Sequence, residues 1–179
     1  ITTEPGNLWD WETGIFVDGP NADSLYPYFG ANFWEDITIP VHMEYFIEDN
    51  LEIEYPLAAK VHGGKGARTK LMKPLRLMAK SSYGTALMDY PFFKNRTNSK
   101  FERLVLRNSS GDYNIAHMRD EFLARYFINE GLNTNGLSEQ PIIVYLNGAY
   151  YGVMHLREKV DRFYLQYNYG ADPDNIDLL

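Results

Sequence analysis

Between Val41 and Glu48 the chain alternates: Val41, Met43, Tyr45 and Ile47 fall on one side, His42, Glu44, Phe46 and Glu48 on the other. A period of two predicts a strand. Asp49-Asn50 reads as a turn, and Leu51 to His62 as the antiparallel partner. Leu75 to Ala79 and Leu104 to Leu106 are shorter strand candidates. From Ile115 to Asn129 the period lengthens. Ile115, Met118, Phe122 and Tyr126 recur at helical spacing, widened by Leu123 and Phe127, which predicts a helix with a buried stripe. Asn114 is its expected N-cap and Gly131 its stop. Ile142 to Leu146, then Asn147-Gly148, then Ala149 to Leu156 is the clearest element, because Asn-Gly between two strand-like runs marks a hairpin. Lys159 to Tyr169 reads as a second helix. The predicted class is α+β with a mainly antiparallel sheet.

Residues 1–40 are rich in Gly, Pro, Asn, Asp and aromatics, so loops are expected there. Trp9, Trp11 and Trp34 either pin these loops to the body or form a carbohydrate-stacking surface. With 179 residues, one domain or one lobe of a larger unit is expected, and 14 Tyr and 10 Phe make its core aromatic. The absence of cysteine excludes a disulfide scaffold and a thiolate metal site. No apolar run reaches the about 18 residues of a membrane span.

A net charge of -7 argues against nucleic-acid binding. Its distribution says more. Residues 1–59 hold 12 of the 24 acids and no Lys or Arg, while residues 60–80 hold seven of the 17 basic residues and no acid. The basic stretch (Lys60, Lys65, Arg68, Lys70, Lys73, Arg76 and Lys80) either pairs with the acidic first third, forms an anion site in a cleft, or is merely solvated.

The P-loop pattern, the HRD and DFG signatures of ordinary protein kinases and G-x-S-x-G are all absent. His42, His62, His117 and His155 lack metal-ligand spacing and read as hydrogen-bonded or surface residues. On a strand from Lys70 to Lys80, Lys73 would share a face with Leu75, Leu77 and Ala79, and Arg76 would share the other with Met78 and Lys80. A cation on an apolar face needs a phosphate or carboxylate partner. Downstream, the hairpin leads into Arg157-Glu158-Lys159-Val160-Asp161. Glu158 there is either a dipole-favoured residue of the first helical turn or part of a site.

These residues carry a resemblance. The Asn-Gly hairpin running into Glu158-Lys159-Val160-Asp161 is similar to the most characteristic motif of CotH-type (spore-coat protein H-like) atypical kinases. Gly63 followed by Arg68, Lys73 and Arg76 resembles that family's Gly, Arg-Ser, Lys-Ser and Arg pattern, and Asn108 to Arg119, with Asp112, resembles its Asp and Arg segment. The likeness covers about residues 41–179, with 1–40 a loop-rich N-terminal segment. One departure is Pro74, where the family usually has Ser. It lacks a backbone donor and a hydroxyl.

The resemblance implies a protein-kinase-like N-terminal lobe, with Lys73, Arg68, Arg76, Arg119 and Glu158 as nucleotide-binding candidates. It implies ATP and magnesium as cofactors of the full-length protein, with none expected in these residues alone. The expected partner is a protein substrate on a bacterial surface or coat, in an extracytoplasmic setting. The aspartates that hold magnesium and activate the acceptor would lie in a lobe beyond Leu179, leaving this chain inactive by itself and apolar at Leu178 and Leu179. The rival readings are a secreted cell-surface binding module for carbohydrate or protein, and a structural coat protein with the fold but no catalysis.

Overall fold

The computed structural model describes residues 1–132 and 137–178. The first forty residues are mostly turns, with one short helix, α1 (Pro5–Trp9), and a 3-10 turn at Asn32–Trp34. Strand β1 (Ile39–Ile47) then pairs antiparallel with β2 (Asn50–Val61). The reversal sits at Glu48 and Asp49, with φ of 49° and 66°, one residue earlier than the Asp49-Asn50 turn expected from the sequence. A one-turn helix, α2 (Lys65–Arg68), precedes β3 (Leu75–Met78). A two-residue ladder joins β4 (Met88–Asp89) to β5 (Lys100–Phe101). Then follow β6 (Arg103–Arg107), helix α3 (Arg119–Asn129), β7 (Glu139–Leu146), β8 (Ala149–Glu158) and helix α4 (Arg162–Tyr169).

The main sheet has six antiparallel strands in the order β1-β2-β3-β6-β8-β7. It curls, so that its two edge strands approach: the Gln140 amide of β7 donates to the Tyr45 hydroxyl of β1 at 2.7 Å. The β7–β8 hairpin turns at Asn147 and Gly148, with φ of 50° and 82°. Positive φ at both central residues is the turn whose twist matches the flanking strands.

Alternation sets the two faces of this sheet. Leu75, Leu77, Leu104, Leu106, Met154 and Leu156 point to one side and are buried. The aromatic residues Phe92, Phe93 and Phe101 pack edge-on or tilted against one another within the same core, with centroids 5.5–6.4 Å apart. Leu8, Ile15, Phe16 and Phe33 bring the N-terminal loops onto it. Trp34 is half-buried and fixed by its indole donating to the Pro27 carbonyl at 2.9 Å, whereas Trp9 and Trp11 are exposed.

The expected helix at Ile115–Asn129 starts four residues later. Asp112 accepts the amides of Met118 and Arg119, each at 3.1 Å, and so caps the helix in place of Asn114. The expected buried stripe is reversed: Ile115, Met118, Phe122, Leu123, Tyr126 and Phe127 are exposed. The face turned inward carries Glu121, Ala124 and Ile128. The second helix also starts later than expected. Asp161 is its N-cap, accepting from the amides of Phe163 and Tyr164 at 3.0 and 3.2 Å. Glu158 is therefore the last residue of β8 and not a helix-start residue. Leu178 is exposed, and Leu179 lies outside the described residues.

Candidate functional site

The face of the sheet opposite the leucines is cationic. The strand registers place Lys60 beside Arg76, Arg76 beside Val105, Val105 beside Arg157, and Arg157 beside Glu139. Arg103 and Arg107 flank Val105 two residues away on the same face. One row across five strands thus carries three cations, with two more beside it.

Only part of this charge is neutralised. Lys60 pairs with Asp36 at 2.6 Å and Arg103 with Asp161 at 2.9 Å. Arg107 meets Asp120, and its Nε stands 3.3 Å from Glu121 Oε1. Among the described residues, no carboxylate lies within salt-bridge distance of Arg76 or Arg157. Arg76 donates to His62 Nδ1 at 3.0 Å, so His62 is neutral there. Burial, then the charge of Arg76, pushes the His62 pKa down to about 3. The Nε atoms of Arg76, Arg107 and Arg157, and both carboxylate oxygens of Glu121, are buried without a hydrogen-bond partner. Burial lowers the pKa of Arg76 and Arg157, and the nearby charges of Arg103 and Arg107 respectively lower them further. Buried donors without acceptors are costly, and an anion at this row would satisfy several of them together.

Glu121 reaches the row from α3. It is buried, on a helix whose other neighbours of the sheet are small or aliphatic, and it faces Arg107. The helix is held by Arg125, whose guanidinium donates to Glu139 at 2.9 Å. The segment before it is held by His155, whose ring nitrogens lie 3.2 Å from Glu139 Oε2 and 3.0 Å from the His117 carbonyl.

The five residues singled out from the sequence fall in different places. Arg76 stands in the row. Arg68 ties loops together, its Nε donating to the Gly63 carbonyl at 2.6 Å and its Nη1 to Phe33 and Trp34 carbonyls at 2.8 and 3.2 Å. Lys73 does not lie on a strand, since β3 begins at Leu75. It is 6% exposed, with Nζ donating to the Arg68 and Lys70 carbonyls at 2.9 and 3.2 Å and lying 4.0 Å from the Phe33 ring centroid. Two carbonyl dipoles and a π face thus supply what a phosphate or carboxylate was expected to supply. Burial pushes its pKa down to about 8. Arg119 is largely exposed and pairs with Asp112 at 3.2 Å.

Glu158 lies on the core face and is buried. It accepts from Arg96 at 3.0 Å, the Ser138 amide at 2.9 Å and the Asn168 amide group at 3.0 Å. Its oxygens are filled by protein donors that join β8, α4 and the loop before β5.

Arg157, Arg107, Arg103 and Glu121 escaped the sequence reading. Arg157 had a signal: continuing the β8 alternation two residues past Leu156 puts it opposite Glu158. Asp161 as an N-cap would have placed the helix start correctly. The charge expectation also resolves. Among the described residues, Lys60 is the one member of the 60–80 basic stretch that forms a salt bridge with an acid of residues 1–59. Among the described residues, no three His, Asp or Glu side chains come together as a metal site, and no helix is long and apolar enough to cross a membrane.

An α+β fold with a curled antiparallel sheet and a half-buried cationic face defines the class. A model of the family described as CotH kinase protein matches residues 60–179. That is well over half of the chain, which therefore belongs to this family. No curated protein matches the chain.

Proposed function

We propose that the sheet and α3 form a kinase-like nucleotide-binding lobe, and that in the full-length protein this lobe serves ATP-dependent phosphorylation of a protein on a bacterial surface or coat. The observation that carries this reading is the set of half-buried arginines, Arg76, Arg107 and Arg157, whose buried Nε donors lack hydrogen-bond acceptors. A polyphosphate suits it, because charge-assisted, forked contacts from Arg are strong and geometrically defined.

In this reading Arg76 and Arg157 contact phosphate directly. Glu121 orients Arg107 and keeps the row from being overwhelmingly positive when empty. Arg68 and Lys73 hold the loop from Gly63 to Pro74, Arg119 holds the start of α3 through Asp112, and Glu158 anchors α4. Pro74 donates nothing to a ligand, but its carbonyl accepts the His62 amide at 3.0 Å, which keeps His62 beside Arg76. The nucleotide supplies the transferable phosphoryl group.

The test is binding and turnover of MgATP by the full-length protein. Arg76→Met and Arg157→Met should each weaken binding by about tenfold or more. Lys73→Met should act chiefly by loosening the loop, seen as a lower melting temperature. If Lys73→Met abolishes binding while the melting temperature holds, and Arg157→Met does nothing, the phosphate lies at Lys73 and this assignment is wrong.

A further inference from the structure

Between β6 and α3 the backbone takes an unusual path. Ser109, Ser110 and His117 have φ of 63°, 49° and 63°, a left-handed conformation unfavourable for residues with a side chain. Such a path persists only where its surroundings hold it. The holding converges on His117, two residues before α3. Its carbonyl accepts from the Ser109 hydroxyl at 2.6 Å and lies 3.0 Å from His155 Nε2. Its ring Nε2 donates to the Val153 carbonyl at 3.0 Å. Helix α3 itself has little else to keep it in place, because Glu121 is its one buried residue. Polar contacts, and not apolar packing, fix its position.

His155 is the hub of those contacts. It is 4% exposed and stands on the arginine face, beside Arg107 of β6 and Pro141 of β7 in register. Both of its ring nitrogens face acceptors: Nδ1 lies 3.2 Å from Glu139 Oε2 and Nε2 lies 3.0 Å from the His117 carbonyl. Neither a carboxylate nor a carbonyl has a proton to give, and a neutral imidazole carries one N–H. Only the imidazolium serves both. Glu139 also accepts from Arg125 of α3 at 2.9 Å. One charged ring therefore holds the start of α3 through His117 and its middle through Glu139.

The charges around this ring come from every neighbouring element. Glu139 stands on β7, Arg107 on β6, Arg157 two residues along β8, and Glu121 and Arg125 on α3, where Asp120 meets Arg107. The His117 ring is 5.8 Å away between centroids. Burial opposes a charged His155, but Glu139, Glu121 and the His117 carbonyl outweigh it and raise its pKa.

We propose that His155 is a proton-operated latch on α3. Protonated, it pins the His117 turn and Glu139 together and holds Glu121 against Arg107. Deprotonated, it releases one of the two acceptors, the left-handed turn relaxes, and Glu121 leaves the arginine row. The latch regulates the nucleotide site and rests on that reading for this consequence alone.

Hydrogen exchange of the full-length protein at about pH 6 and about pH 9, expressed as protection factors so that the intrinsic pH dependence cancels, tests it. The amides of Leu123 to Ile128 should lose about tenfold or more of their protection at the higher pH, the worth of one hydrogen bond to a charged group. The amides of Leu77 and Leu104 should hold theirs. His155→Asn, with no proton to lose, should give weak α3 protection at both values. Glu139→Gln should move the loss to lower pH, because it removes the carboxylate that favours the charged ring. Lys73 also titrates in this range, since burial pushes its pKa down to about 8, and the His155→Asn comparison separates the two. MgATP affinity should fall as the latch opens in the wild type and stay level in His155→Asn. Protection of α3 that ignores pH overturns the proposal. So does an equal loss in His155→Asn, or a loss shared by Leu77 and Leu104. Opening of α3 on cue in a protein that does not bind MgATP supports the latch and refutes the nucleotide reading.

Discussion

The two faces of the same central strands behave in opposite ways. On one face Leu75, Leu77, Leu104, Leu106, Met154 and Leu156 are closed over by loops and aromatic residues. On the other, Arg76, Arg103, Arg107 and Arg157 alternate with them, and several of their donors have no acceptor. The backbone is common to both, so the difference comes from what each face is completed by. The leucine face is completed by the chain itself, which makes it a source of stability. The arginine face is completed only in part by the chain, through Asp161 on Arg103 and Glu121 and Asp120 on Arg107, and on the proposed reading a ligand with negative charge completes the rest.

If that contrast is right, the largest single losses of stability lie on the leucine face. Leu77→Ala and Leu104→Ala should each cost about 2–5 kcal/mol, read from the denaturant midpoint. A loss below about 1 kcal/mol would mean a face that is not close-packed.

Glu158 sharpens the comparison, because it is a charged residue on the leucine side. Removing one partner of a buried, hydrogen-bonded ion pair costs about 3–5 kcal/mol. Glu158→Gln should fall toward the lower end, since it keeps the shape and loses the charge opposite Arg96. Nucleotide affinity measured well below the melting transition should stay the same.

Arg157→Met should do the reverse. Replacing a half-buried, poorly paired charge by an apolar side chain of similar length should be neutral or stabilising, by up to about 4 kcal/mol. The melting temperature should hold or rise while nucleotide binding falls.

A smaller effect should appear with pH. Burial disfavours the charged form of His155, but Glu139 and the His117 carbonyl outweigh it and the pKa is raised above 6.5. A raised folded-state pKa gives stability that is present in full below the unfolded value and is lost as pH rises through the folded value. Glu139 is the mirror case. Burial works against its charge, yet His155 and Arg125 hold its pKa below 4.5, so its contribution is lost as pH falls through that lowered value. Thermal melts should therefore show a decline above about pH 6.5 that His155→Asn flattens. An identical slope in the variant would show that this contact does not tie α3 to the sheet.

The smallest effect belongs to Lys60. It lies in the row, yet Asp36 already pairs with it and is itself exposed. Such pairs are worth about 0–1 kcal/mol, so Lys60→Ala should change stability and binding little.

Much of the scaffold was legible in the sequence. Period-two alternation found β1 and β2, and the Asn147-Gly148 turn found β7 and β8, because these signals are local. The site was less legible for the opposite reason. Arg76, Arg157 and Arg107 come from three strands, with Arg76 and Arg157 81 positions apart, and only strand order makes them neighbours. The apolar spacing of Ile115 to Phe127 was real but misleading. It marks a helix, but helix α3 turns Glu121 inward toward Arg107 and leaves the apolar stripe outside. Lys73 misled similarly. Its motif is present, but the strand it was assigned to begins two residues later, and backbone carbonyls hold its charge.

The central claim is that the arginine row, and not Lys73, is where phosphate binds. Calorimetric titration of MgATP into the full-length protein, wild type against Arg76→Met/Arg157→Met, tests it most directly when melting curves are run on the same samples. The account predicts at least about a tenfold loss of affinity with an unchanged or higher melting temperature. Unchanged affinity in a folded double variant would contradict it.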